Sequence, residues 1–209
     1  MWPWEHAIVG YLAYSVFCHL YYRDSPGGLE AFTVVFASVL PDLIDKTLSW
    51  EVGVFDTGYA LGHSVFFAVP LAIVGGAAAR SWGRTRTGVA LGLGYLFHLP
   101  ADVVDGYVRG GILEFGILFW PVRTVGSQEG GVGLVSEFLH FFGEYRSELL
   151  AGDLSAYVWV QVGMGVAALL LWLADGAPVL RECILGCKRL VVAAVGGRTA
   201  SNAPTRDRK

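Results

Sequence analysis

Apolar residues in this chain fall into long blocks divided by short polar ones. Four blocks reach the roughly 17–20 residues an α-helix needs to cross a hydrocarbon core: His6–Tyr22, Tyr59–Ala79, Thr87–Val104 and Tyr157–Ala174. A shorter run, Leu29–Leu40, continues through Pro41-Asp42-Leu43-Ile44-Asp45 and crosses if its acidic end reaches the surface or a polar cavity. A re-entrant Leu29–Leu40 would instead put His6 across the membrane from His63. The expected fold is therefore all-α, a polytopic membrane bundle of about five transmembrane helices. Gly110–Val122 is apolar but short and carries Glu114, which suits a re-entrant or interfacial element. Gly126–Gly133 is a glycine-rich loop, and Leu134–Leu150 mixes Leu, Phe and Tyr with Glu137, Glu144, Arg146 and Glu148, as an amphipathic surface helix does. After Arg198 there is no apolar periodicity, and disorder is expected there.

Composition supports the membrane class. Of 209 residues, 54% are apolar and only 16% charged, against about 25% charged in ordinary soluble domains. The start, MWPWEH, lacks a basic region before its apolar run, so the first segment is expected to be a retained helix. Three cysteines, Cys18, Cys183 and Cys187, form no CxxC or Cys/His cluster, which excludes a disulfide scaffold and a thiolate zinc site. Charge is unevenly placed: residues 1–174 hold 8 Lys/Arg against 15 Asp/Glu, and residues 175–209 hold 7 against 3. A basic tail beside a span reads as a cytoplasmic anchor facing anionic lipid, and no nucleic-acid partner is expected. Arg23, Arg80, Arg84 and Arg86 fall on the tail's side, which the positive-inside rule makes cytoplasmic.

Ionisable residues in membrane spans are costly and are candidates for function by default. On the expected outer side, His6 opens the first helix, Asp42 and Asp45 close the second, and His63 opens the third. His98 and Asp102 sit four residues apart in the fourth, on one helix face, and Asp105 follows. His19 is expected at the opposite, cytoplasmic end. Imidazole and carboxylate are the ligands that hold Zn²⁺, Mn²⁺ or Fe²⁺ where thiolates are absent. The sequence has no P-loop, no dinucleotide glycine fingerprint, no HExxH and no G-x-S-x-G elbow, which argues against nucleotide-driven transport, zincin proteases and serine hydrolases.

His6, Leu40-Pro41-Asp42-Leu43-Ile44-Asp45, Gly62-His63-Ser64 and His98-Leu99-Pro100-Ala101-Asp102, followed by Gly106 and Trp120-Pro121, resemble the YdjM-like, LexA-regulated membrane-bound metal-dependent hydrolases. The resemblance covers roughly residues 1–125 and implies a metal-dependent hydrolase domain there. The order His, Asp, His, His-x-x-x-Asp is more distantly similar to zinc-dependent phospholipase C, in which a later His-x-x-x-Glu completes the cluster. His140 and Glu144 have that spacing. A further histidine found in those phospholipases is absent from residues 99–139, which favours one or two ions over three.

Together these features suggest an integral cell-membrane protein that hydrolyses a phosphoester, with a lipid headgroup as an accessible substrate. The expected ligands are His63, His98, Asp102 and Asp45, with His6 and Asp42 at a second metal site or behind the first, and Asp105 orienting a ligand imidazole. Asp42 and Asp105 are thus candidate catalytic residues; His6, Asp45, His63, His98, Asp102, His140 and Glu144 are candidate metal residues. The ion expected is zinc or manganese. The remaining organisation would be a loop and surface helix over 126–156, a last span over 157–174, and the basic tail over 175–209. A metal-ion or proton transporter and a non-catalytic membrane scaffold are the alternatives.

Overall fold

The computed structural model describes residues 1–126, 133–152 and 155–200. Helices and turns make up all of the described secondary structure. The helices are α1 (Pro3–Phe17), α2 (Gly28–Lys46), α3 (Val65–Ser81), α4 (Thr85–Gly110), α5 (Leu134–Ala151), α6 (Ala156–Ala174) and α7 (Leu180–Ala200). Short π-helical segments extend α1 over Cys18–Tyr22 and α2 over Thr47–Glu51.

Local chemistry sets the helix ends. Pro3 occupies the first turn of α1, where its missing N–H costs nothing, and Glu5 Oε2 accepts from Trp2 N at 2.6 Å. Ser64 caps α3, its hydroxyl accepting from Phe66 N at 3.2 Å while donating to Trp120 O at 2.6 Å. Gly111, with φ 72°, ends α4 in the left-handed conformation that glycine adopts without strain. The apolar blocks of the sequence thus shift at their edges. Tyr59–His63 forms a bent loop before α3 rather than its first turn, because Asp45 draws the backbone N–H groups of that loop to itself. Gly110–Val122 contains a single 3₁₀ turn, Phe115–Leu118. The tail forms α7, where the sequence alone suggested only an anchor, and Glu182 accepts from Gly28 N at 2.8 Å. Residues 201–209 lie outside the described part.

Small residues bring α1, α2 and α4 close together. A Cβ added at Gly10 would lie 2.7 Å from Ser38 Cβ, and one at Gly94 would lie 2.5 Å from Val34 O. These are the close backbone approaches that drive helix association in lipid. Side-chain bonds show that the helices alternate in direction. At one end Glu5 of α1 accepts from Gln161 of α6, and His98 of α4 bonds Ser38 O of α2. At the other, Tyr11 and Ser15 of α1 bond Asp175 after α6, and Tyr14 bonds Glu30 of α2 and Arg86 O of α4.

The burial pattern is inverted relative to a soluble domain. Glu5, His6, Asp42, Asp45, His63, His98 and Asp102 are buried, while Phe32, Phe36, Phe66, Ile73, Val74, Val160, Leu169 and Leu170 are exposed. Exposed apolar surface on this scale marks a face made for something other than water. Two helices, Thr85–Gly110 and Ala156–Ala174, are long and apolar enough to cross a membrane, and Val65–Ser81 is a shorter apolar helix.

Candidate metal centre

Three helices and one loop deliver polar side chains to the same end of the bundle. Asp42 comes from the last turn and a half of α2, His98 and Asp102 from one face of α4, His6 from the start of α1, and His63 from the loop held over α2. Gly62 lets that loop lie against α2: a Cβ there would stand 2.6 Å from Pro41 O, a backbone atom that cannot move aside. Tyr95 fixes the same loop by donating to Gly62 O at 2.7 Å.

Asp42, His63, His98 and Asp102 each offer one ligand atom, all within 4.8 Å of one another and all buried. His63 Nε2 lies 3.0 Å from His98 Nε2 and 3.1 Å from Asp102 Oδ2. His98 Nε2 lies 3.3 Å from Asp102 Oδ2, and Asp42 Oδ1 lies 3.5 Å from His63 Nε2 and 3.9 Å from His98 Nε2. Ligands bonded tetrahedrally at about 2.0–2.2 Å stand roughly 3.3–3.6 Å apart, so these separations suit one divalent ion.

The outer partners of the two rings decide what the facing nitrogens are. His98 Nδ1 lies 2.7 Å from Ser38 O, and His63 Nδ1 lies 2.8 Å from Asp45 Oδ2. A carbonyl and a carboxylate only accept, so each Nδ1 carries a proton, and a neutral ring turns its Nε2 lone pair inward. Two lone pairs and two carboxylates facing one point need a cation or a proton among them. Burial works against a charged His63, but its hydrogen bonds to Asp102 and Asp45 and the nearby Asp42 carboxylate outweigh that and raise it to about 10. Asp42 Oδ1 and Oδ2 and both ring nitrogens of His6 are buried without a hydrogen bond. Lys46 Nζ stands 2.7 Å from Asp42 Oδ1, close enough for charge attraction but out of hydrogen-bond alignment. Donor set, spacing and orphaned atoms all fit a divalent transition ion.

The sequence candidates divide by position. Asp45, expected as a ligand, stands behind His63; its carboxylate takes the N–H groups of Ala60, Gly62 and His63 together with the ring N–H. Asp42 reaches the cluster itself. Asp105, expected to orient an imidazole, bonds Tyr157 at 2.9 Å and Arg109 at 3.1 Å instead, because the imidazole N–H groups are already taken by Asp45 and Ser38. His6 stacks on His98 with ring centroids 3.7 Å apart, its Nε2 3.1 Å from Asp102 Oδ1. His140 lies exposed on α5, and the Glu144 side chain lies outside the described residues. His19 is at the far end of the bundle, 2.7 Å from Asp175.

Several site residues escaped the sequence analysis. Tyr157 donates to Glu5 at 2.6 Å, and Gln161 bonds the same buried carboxylate at 2.6 Å. Gln161 had a signal, as the one polar amide in the apolar run Ala156–Ala174. Tyr59 packs edge-on against His63 and lines a cavity of about 250 Å³ that reaches Asp102. Val103, Gly106, Glu114, Ile117, Val125 and Gly126 complete its walls.

No curated protein and no solved structure matches the chain. Residues 1–176 match the family model of the YdjM inner membrane protein, and the chain belongs to that family.

Proposed function

We propose that the protein is a membrane-embedded, metal-dependent hydrolase that cleaves a phosphoester at the membrane interface. The observation that carries this is the pair of facing Nε2 atoms, 3.0 Å apart, grouped with Asp42 and Asp102 beside a cavity that reaches Asp102. His63, His98, Asp42 and Asp102 would hold the ion, with zinc or manganese suited to the donors. Bound there, a divalent ion supplies a water acidic enough to attack at neutral pH and positive charge for a phosphoryl oxygen. The chain's own part is to orient and enclose. Asp45 and Ser38 fix both tautomers, Glu5, Tyr157 and Gln161 brace the base of α1, and Tyr59 walls the cavity.

A through-membrane transport path is disfavoured by what lies between the two polar ends. Val34, Ala37 and Ala90 are fully buried there, and Gly10 and Gly94 close the helices onto Ser38 and Val34. In this reading about five segments cross the membrane, the metal centre faces the outer side, the basic tail is cytoplasmic, and a lipid headgroup is the most accessible phosphoester. The test is hydrolysis of a phospholipid and nucleotide-ester panel by the detergent-purified protein, reconstituted with Zn²⁺ or Mn²⁺, beside His98→Gln. Metal-dependent turnover lost in the variant supports the reading; stoichiometric metal without turnover on any phosphoester overturns it.

A further inference from the structure

Each carboxylate of the centre has a second oxygen, and both point to the same place. Asp42 Oδ1 and Asp102 Oδ2 face His63 and His98. Asp102 Oδ1 lies 3.1 Å from His6 Nε2, and Asp42 Oδ2 lies 3.8 Å from that nitrogen. His6 is 1% exposed and neither of its ring nitrogens has a hydrogen bond, nor does Asp42 Oδ2. Buried polar atoms left without partners bear the full cost of their desolvation. Asp102 Oδ1 accepts from the Met1 amino group at 3.0 Å, which also stands 3.0 Å from Asp105 Oδ2, so a cation bound by this oxygen would take the place of that ammonium.

We propose that the centre is binuclear, with His6, Asp42 Oδ2 and Asp102 Oδ1 forming a second divalent-cation site that shares both carboxylates with the first. The proposal rests on the metal-centre reading above and deepens it. Asp42 and Asp102 each give one oxygen to each site, so the two sites are held at a fixed spacing by groups already buried at 3% and 6% exposure. Two ions clamped by shared carboxylates are a recurring arrangement for phosphoester displacement, in which attacking and leaving oxygens both need charge nearby.

The experiment is metal stoichiometry and Mn²⁺ electron paramagnetic resonance on the full-length, detergent-purified chain. Wild type is compared with His6→Gln and His98→Gln. Wild type should bind two ions per chain and give an exchange-coupled spectrum, whereas His6→Gln should bind one and give the isolated-ion signal. Both wild-type readouts stand even if a variant fails to fold. One ion in wild type, uncoupled, unaffected by His6→Gln and lost in His98→Gln, overturns the second site while leaving the first. No ion in wild type overturns the underlying metal-centre reading as well.

Discussion

Asp45→Asn separates the chemistry of the site from its packing. The substitution keeps the side chain's size but removes a charge and replaces one acceptor by a donor. In the native site one Asp45 oxygen accepts from Ala60 N at 2.8 Å, His63 N at 3.0 Å and His63 Nδ1 at 2.8 Å, and the other accepts from Gly62 N at 2.7 Å. An asparagine oxygen can serve the first three donors, which puts its NH₂ against Gly62 N–H. At least one bond is lost and the others become neutral. With hydrogen bonds to charged groups contributing about 1.5–3 kcal/mol, the fold should lose about 3–5 kcal/mol. The second effect is on the metal. Loss of the carboxylate behind a ligating histidine typically lowers affinity about 10–100-fold, equivalent to roughly 1.4–2.7 kcal/mol. Thermal denaturation in detergent reads the first effect, and zinc titration against a competing chelator reads the second. A variant that melts earlier yet binds zinc within about threefold of wild type, well short of that range, would refute a positioning role for Asp45.

Gly62→Ala should destabilise the protein by about 1–3 kcal/mol and lower its metal content, because the new Cβ meets Pro41 O at 2.6 Å; Gly76→Ala, with nothing within 4 Å, is the matched control for thermal melts. His63, raised from 6.5 to about 10 without metal, stabilises the chelated protein fully below 6.5 and loses that contribution as pH climbs toward 10. Metal requires the unprotonated ring, so zinc affinity should rise over that window and binding should release a proton, which calorimetry in buffers of different ionisation enthalpy detects. Asp175→Asn removes the carboxylate held by Tyr11, Ser15 and His19 at 2.6–2.7 Å. It should lower the melting temperature with metal content unchanged, and a loss of metal there would contradict the separation of the two ends.

Much of this site was legible because membrane sequences give polar residues few innocent places. His6, Asp42, His63, His98 and Asp102 stood out as ionisable groups at the ends of apolar runs, and alternating helix direction was enough to bring them to one level. The division of labour was not legible. Asp42 and Asp45 are three residues apart on α2, and which one groups with His63, His98 and Asp102 depends on where the Tyr59–His63 loop lies, which Gly62 against Pro41 sets. Spacing within one helix carries no such information. Glu5, Tyr157 and Gln161 were missed for a related reason, since their pairing links α1 to α6 across 152 or more residues. The helix α7 was hidden because its composition is basic and weakly apolar, and its start is tied to α2 by Glu182 on the backbone N–H of Gly28.

The two ends of the bundle show why polarity alone does not define a site. At the far end, Asp175 is 4% exposed, yet Tyr11, Ser15 and His19 all bond it, and burial's push toward the neutral acid is outweighed so that its carboxyl is held below the usual range. Arg86 likewise meets Asp24, Glu30 and the Ser25 carbonyl. Those networks are largely complete, and they fasten helices. At the other end the same types of residue are buried as deeply, but their acceptors face one another and His6 and Asp42 lack hydrogen-bond partners. A buried network that leaves its own acceptors unpaired is unstable unless something positive joins them. That difference in completeness, more than the count of histidines, separates the end that fastens helices from the end proposed to bind metal.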